Sequence, residues 1–320
     1  MDYPIVTVTP NPVLDRTLTV PRIVFNEMMR ATSSRLDWDG KGLNVSRALH
    51  ALGVESLAMG FIGGATGQIL ERGLGDMGIA TDFVPVAGET RTNVIITDTE
   101  RYVKANEAGP TVRAREAAAL CDRIRQRVRP GDVWILCGSL PPGIPLDFYA
   151  QLIALVQAGG ARALLDSSDE ALRLGCGAAP YLVKPNTIEA AQMMQEEDLQ
   201  EINSDADALR AVRSFLERGI EWVALSLGAG GLLLASEGET VRARPPRVRV
   251  RNPVGAGDAL LAGVAYALAR GLGPGEVARW GVAAGTAAAV REGVSVGTRA
   301  EVEALYEQVQ ARGVTTQMGA

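Results

Sequence analysis

The residues Asn252-Pro253-Val254-Gly255-Ala256-Gly257-Asp258-Ala259, followed by the apolar run Leu260 to Leu268, read as a glycine turn opening a helix with a carboxylate in its first turn. Backbone N–H groups at such a turn have no partner inside the helix, and the helix dipole adds partial positive charge. The turn therefore suits an anion. A carboxylate beside a bound anion is repelled by it, so Asp258 needs a reason to be there. It has one if it takes a proton from a hydroxyl attacking a phosphoryl group. The structural alternative is a capped helix, because Asp is common in first turns. On this motif alone the two readings stand level.

Four other segments carry candidate chemistry. Gly40-Lys41-Gly42-Leu43-Asn44-Val45 leads into a helix and puts a lysine at its start. A cation there opposes the dipole, and an anionic ligand would reverse that penalty, which favours a binding role. Arg91, in Thr90-Arg91-Thr92-Asn93, could fork onto a phosphate, but alone it reads better as a solvated edge residue. In Lys184-Pro185-Asn186-Thr187-Ile188-Glu189 the spacing gives a capping box with Asn in place of Ser or Thr. The functional reading, that Asn186 and Glu189 face a magnesium–phosphate shell through waters, is the weaker one from spacing alone. Ser226-Leu227-Gly228-Ala229-Gly230-Gly231 is a glycine turn fit for a nucleotide, or equally a tight turn between strands.

Composition narrows the classes. The chain has 320 residues, 47% of them apolar, with a formal net charge of −5 and no basic block, so nucleic acid is not the expected partner. Lysine occurs only at 41, 104 and 184. The cysteines, Cys121, Cys137 and Cys176, are odd in number and widely spaced, which suggests free thiols in a reducing cytoplasm. Cys137 ends an apolar run and reads as a small buried side chain. His50 is the only histidine and lies in a helical pattern, so base chemistry falls to carboxylates. No leader pattern and no membrane-length apolar run is evident, and a soluble cytoplasmic protein is expected. The P-loop signature, the protein-kinase motifs and a dinucleotide fingerprint after the first strand are all missing from the sequence.

These motifs need a scaffold. Ile5 to Thr9 is an uncharged β-branched run, as expected of a parallel strand buried on both faces. Residues 16–36 and 91–104 alternate polar and apolar, predicting strands of a small sheet with one wet face. Beyond residue 110 strands and helices alternate: a helix over 111–129, then strands at 133–136, 161–165, 181–183 and 222–226. Further helices are expected from 146 and near 187–196, 205–218, 257–270 and 275–290, with hairpin-like pieces around 231–243. This rhythm predicts a mostly parallel central sheet with helices on both faces in one domain over 1–320. The tail after about Arg312 is expected to fray.

Taken in order, the motifs resemble the PfkB or ribokinase-like carbohydrate kinases, most closely the branch with 1-phosphofructokinase, tagatose-6-phosphate kinase and the minor 6-phosphofructokinase. The resemblance runs from Thr9-Pro10-Asn11-Pro12-Val13-Leu14-Asp15 through Phe61-Ile62-Gly63-Gly64, Gly138-Ser139-Leu140-Pro141-Pro142-Gly143 and Asp166-Ser167-Ser168 to the segments above. It implies a ribokinase-like three-layer α/β sandwich with a small β-sheet lid drawn from about 13–38 and 88–107. It implies ATP-dependent phosphorylation of a sugar phosphate with Mg2+, a monovalent cation such as K+ as a further cofactor, and a homodimer paired through the lids. Asp258 would match the family's base, and Gly255, Ala256 and Gly257 its anion hole. Asp15 would grip sugar hydroxyls, with Gly40, Lys41, Asn44, Arg91 and Ser139 around the sugar phosphate. Lys184, Asn186 and Glu189 would face the ATP phosphates and magnesium, and Ser226, Gly228, Gly231, Val282 and Thr286 would line the nucleotide.

The chain departs from the family pattern at several places. Asp39 replaces a usual small residue, Met28 a lysine of some relatives, Pro253 a usual Thr and Ala259 a usual Ser, and Val103-Lys104-Ala105-Asn106 differs from a threonine/acidic version. Fructose 1-phosphate is the first expected substrate, then fructose 6-phosphate or tagatose 6-phosphate. The competing classes are a sugar-phosphate sensor on a degenerate kinase fold and a nucleotide-dependent oxidoreductase.

Overall fold

The computed structural model describes residues 4–195, 199–291 and 296–314. The first half contains β1 (Ile5–Thr9), β2 (Val13–Thr19), β3 (Ser33–Asp39), α1 (Lys41–Ala51), β4 (Leu57–Ile62), α2 (Gly64–Asp76), β5 (Ala80–Pro85), β6 (Arg91–Thr97), β7 (Tyr102–Ala105) and α3 (Ala114–Arg127). The middle contains β8 (Val133–Cys137), α4 (Phe148–Ala158), β9 (Arg162–Asp166), α5 (Asp169–Cys176), β10 (Leu182–Val183), α6 (Thr187–Met194), α7 (Asp205–Leu216) and β11 (Trp222–Ser226). The rest comprises β12 (Leu232–Ser236), β13 (Thr240–Arg244), α8 (Ala256–Leu268), α9 (Pro274–Ala289), α10 (Arg299–Tyr306) and β14 (Gln310–Gly313).

Ten strands form one sheet in the order β14-β13-β12-β11-β10-β9-β8-β1-β4-β5. From β5 to β11 every pairing is parallel; β12, β13 and β14 add an antiparallel edge. Strand residues alternate between two apolar layers. Val6, Val8, Trp134 and Leu136 join one layer with helices α3, α4 and α7. Ile5, Val133, Ile135 and Leu164 join the other with α1, α8 and α9. This is the expected three-layer sandwich. Helix α8 is buried along most of its length, as its all-round apolar sequence requires. Gly263 lets α9 approach closely, since a Cβ there would stand 2.3 Å from the Trp280 carbonyl oxygen.

The second sheet has four strands, β3-β2-β6-β7, with β2 and β6 parallel at its centre. It matches the alternating segments of the sequence, although residues 20–32, around Pro21, connect β2 to β3 outside any strand. Trp38 of β3 anchors the sheet to the body: its indole N–H donates to the Ile69 carbonyl at 3.2 Å, and the ring lies where a Cβ on Gly73 would be. That packing explains why the glycine-rich segment 64–76 is helical against its propensity. Helices α2, α5 and α10 and strands β4, β5 and β14 add to the elements expected from sequence. The expected fraying after Arg312 falls mainly on 315–320, outside the described residues, while Arg312 and Gly313 lie in β14.

Candidate active site

Parallel sheets gather ligands beyond the carboxyl ends of their strands, and there the candidate residues converge. Asn11 follows β1, Ser139 follows β8, Asp166 ends β9, Lys184 follows β10 and Ser226 ends β11. Helices α1, α6 and α8 start at the same edge. Gly255 takes the left-handed conformation before α8, with φ 80°, which favours glycine. The Ala256 N–H is held by the Pro253 carbonyl at 3.2 Å.

A buried charge cluster lies beside that turn. Lys41 Nζ is 2.7 Å from Asp166 Oδ1 and 3.9 Å from Glu189 Oε1, while Lys184 Nζ is 3.1 Å from Asp166 Oδ2. Burial alone would push the Asp166 carboxyl up; Lys184 and Lys41 outweigh it and hold it below its usual range. Burial opposes the Lys41 charge, yet Asp166 and Glu189 raise its pKa overall. A Cβ at Gly257 would stand 3.8 Å from Lys184 Nζ, so the glycine keeps the backbone next to that ammonium open.

Asp258 is buried in the first turn of α8. Burial first, then the Asp166 charge, raises its pKa to about 7, against the opposing pull of the Asn44 hydrogen bond, Lys41 and Lys184. A carboxyl poised near neutrality is suited to general-base work. Lys41, expected at the sugar-phosphate end, pairs here with Asp166 and lies 3.9 Å from Glu189. Asp166 was given no role from sequence, although a carboxylate closing the buried run Ala163 to Leu165 was a usable signal.

At the other end, Asp15 of β2 is buried, accepts a 2.8 Å hydrogen bond from Asn93 and lies 3.5 Å from Lys104 Nζ. Burial, followed by the neighbouring Asp39 charge, raises the Asp15 pKa; Lys104 and Asn93 act against them. Asp39 accepts from the Gly40 N–H at 2.7 Å and from Asn44 Nδ2 at 2.6 Å. Arg91 donates to the Asn11 carbonyl at 3.0 and 3.2 Å and to the Glu107 carbonyl at 3.4 Å. Asn11 donates to Ser139 Oγ at 3.3 Å. Asn93 and Asn11, whose motifs were noted without a role, thus belong to this group. Among the described residues, Asn11 Oδ1 and Asn93 Oδ1 are buried acceptors without a partner.

The Asn186 capping box forms as expected. Asn186 Oδ1 accepts from the Ile188 and Glu189 N–H groups, and Glu189 Oε2 accepts from the Asn186 N–H. Burial raises the Glu189 pKa, against Lys41 and Lys184. Ser226 Oγ donates to the Pro185 carbonyl at 3.2 Å. Gly228 and Gly231 have φ of 54° and 88° and close a tight turn. It borders a cavity of about 290 Å³ lined by Thr187, Ser204, Leu227, Gly228, Gly230 and Arg242, among others. Val282 and Thr286 are buried in α9 and do not line that cavity; Thr286 Oγ1 donates to the Val282 carbonyl at 2.6 Å. No cluster of three or more His, Cys, Asp or Glu able to hold a metal occurs among the described residues.

With this geometry the fold and site define a sugar-kinase-like protein, and comparison with known proteins agrees. Residues 11–301 match the model of the pfkB family carbohydrate kinases. A 1-phosphofructokinase of Rhodobacter capsulatus is 36% identical over 286 residues, covering 87% of this chain and 88% of that one. One from Vibrio cholerae serotype O1 is 30% identical over 321 residues, covering 100% of each chain. The structure of phosphofructokinase-2 from Escherichia coli in complex with potassium has a TM-score of 0.90 at 29% identity, covering 96% of this chain and 99% of that one. The chain belongs to the pfkB family of carbohydrate kinases.

Proposed function

We propose that this kinase transfers the γ-phosphoryl group of ATP to a hydroxyl of a ketohexose phosphate, foremost fructose 1-phosphate, giving fructose 1,6-bisphosphate. The observation that carries this reading is Asp258: a buried carboxyl with a pKa raised to about 7, at the head of α8 and near the buried Lys184 and the half-buried Lys41. In the transfer, Asp258 takes the hydroxyl proton as the sugar oxygen bonds to the γ-phosphorus. The bond from that phosphorus to the bridging oxygen breaks, and ADP leaves. Lys184, Lys41 and the Gly255 and Gly257 N–H groups offset the charge on the transferring group, the main task in phosphoryl transfer. Asp15, Asn93, Arg91, Ser139 and Lys104 hold the sugar phosphate. The two unpaired asparagine oxygens are acceptors that sugar hydroxyls can satisfy.

The nucleotide is read along Lys184, Asn186 and the Ser226–Gly231 turn, with the 290 Å³ cavity beside it. Both Asp166 oxygens face lysines and Asn186 Oδ1 is taken by the cap, so a magnesium ion would be carried chiefly by ATP phosphates, with Glu189 the carboxylate that would help hold it through water. Magnesium, when bound, neutralises phosphate charge. A potassium ion is a further proposed cofactor. The potassium complex of the E. coli relative supports that part. A homodimer through the small sheets is supported by β7, exposed along its length at the sheet edge, and by the exposed Phe25, Met28 and Tyr102. No helix among the described residues is long and apolar enough to cross a membrane, and a cytoplasmic location is proposed.

A coupled ADP-release assay across fructose 1-phosphate, fructose 6-phosphate, tagatose 6-phosphate, fructose and ribose tests the reading. Strictly sugar-phosphate-dependent release, fastest with fructose 1-phosphate, is expected. ADP release no faster with any sugar phosphate than without sugar would leave the sensor alternative standing.

A further inference from the structure

Asp39 is the last residue of β3 in the small sheet, and Asp258 opens α8 in the body. Between them stands one side chain. Asn44 Nδ2 is 2.6 Å from Asp39 Oδ1 and 2.9 Å from Asp258 Oδ2. A primary amide nitrogen carries two hydrogens, so both bonds form at once. The opposite amide orientation would set Oδ1 against two carboxylates, whereas here Oδ1 lies 3.5 Å from Arg47 Nη1. The Gly40 N–H donates to the same Asp39 Oδ1 at 2.7 Å and holds it in place. The usual small residue at position 39 would have no acceptor to offer Asn44.

We propose that Asp39 is a positioning residue for the reaction: by holding the Asn44 amide, it fixes the hydrogen bond that orients the Asp258 carboxylate. This rests on Asp258 being the base. The groups facing Asp258 are Asp166 at the end of β9, Lys184 after β10, Lys41 and Asn44 on α1, and the Cys137 thiol on β8. Those facing Asp39 are Asp15 on β2, Arg47 on α1 and Arg91 on β6.

The direction of a pH shift separates positioning from plain charge. The Asn44 bond favours ionised Asp258, so loosening Asn44 raises the base's pKa and moves the acid limb of kcat/KM to higher pH. Loss of the Asp39 negative charge alone would instead move that limb to lower pH.

The test measures kcat, KM and pH profiles of the full-length wild type and the Asp39→Ala, Asp39→Asn and Asp258→Asn variants, with fructose 1-phosphate and magnesium ATP. Asp39→Ala should lose about tenfold in kcat, the worth of a charge-assisted hydrogen bond, with little change in KM and an upward acid limb. Asp39→Asn keeps a carbonyl acceptor and should recover most of the kcat. It also stands as the test if the alanine variant does not fold. An unchanged kcat, a limb moving to lower pH, a rise in KM alone, or an asparagine variant no better than alanine would overturn the proposal while Asp258→Asn remains inactive. Full activity in Asp258→Asn would overturn the base reading and this proposal together.

Discussion

The end of the site at Asp258 and the end at Asp15 hold similar charges in different ways. Around Asp258 the core of the compensation is internal: the Asp166 and Lys184 side chains are 1% and 5% exposed and pair with each other, while Lys41, 35% exposed, closes on the other Asp166 oxygen. At Asp15 the cation comes from an edge strand, with the Lys104 side chain 33% exposed at 3.5 Å. The first arrangement is set before any ligand arrives, which is what stabilising a transferring phosphoryl group requires. The second leaves its cation partly in water, where it can turn to a phosphate at little cost. On the proposed reading the chemistry is centred on the body and substrate choice on the small sheet, with Asp39 of β3 reaching the base through Asn44.

Removing Asp166 would break this division most severely. Asp166→Ala leaves Lys41 and Lys184 without their shared counter-ion, and a loss of about 3–5 kcal/mol is expected, read as a lower denaturation midpoint. Lys104→Ala sharpens the contrast: KM for fructose 1-phosphate should rise about tenfold with kcat nearly kept and stability unchanged. If kcat falls instead, Lys104 itself takes part in the chemistry. If the proposed homodimer pairs through the small sheets, Tyr102→Glu, which puts a charge on the exposed edge strand β7, should give a monomer in light scattering. Unaltered mass would place any interface elsewhere. Arg125→Ala, which breaks only the exposed pair with Asp122, should change stability by less than about 0.5 kcal/mol.

What sequence could and could not show follows the same boundary. The VGAGD turn, the GKGLN helix start and the KPN-x-x-E cap were legible because each is decided by neighbours within a few residues. Asp166 between two lysines far away in the chain was not, because only the sheet order brings β9 beside β10 and the start of α1. The Lys41 contact with Asp166 was hidden for the same reason. Helix α2 was hidden by its glycines, of which Gly73 makes room for the Trp38 indole arriving from another sheet. Val282 and Thr286 came only from family resemblance, and in this structure they are covered by the body's own packing.

The measurement closest to the central claim is the pH dependence of kcat/KM for the wild type beside Asp258→Asn, both confirmed folded by circular dichroism. Asp258 acts deprotonated, so wild-type activity should fall as pH drops through about 7. The variant should lose about 10²–10⁴-fold, together with that acid limb. Wild-type turnover in Asp258→Asn, with the same limb, would contradict the account.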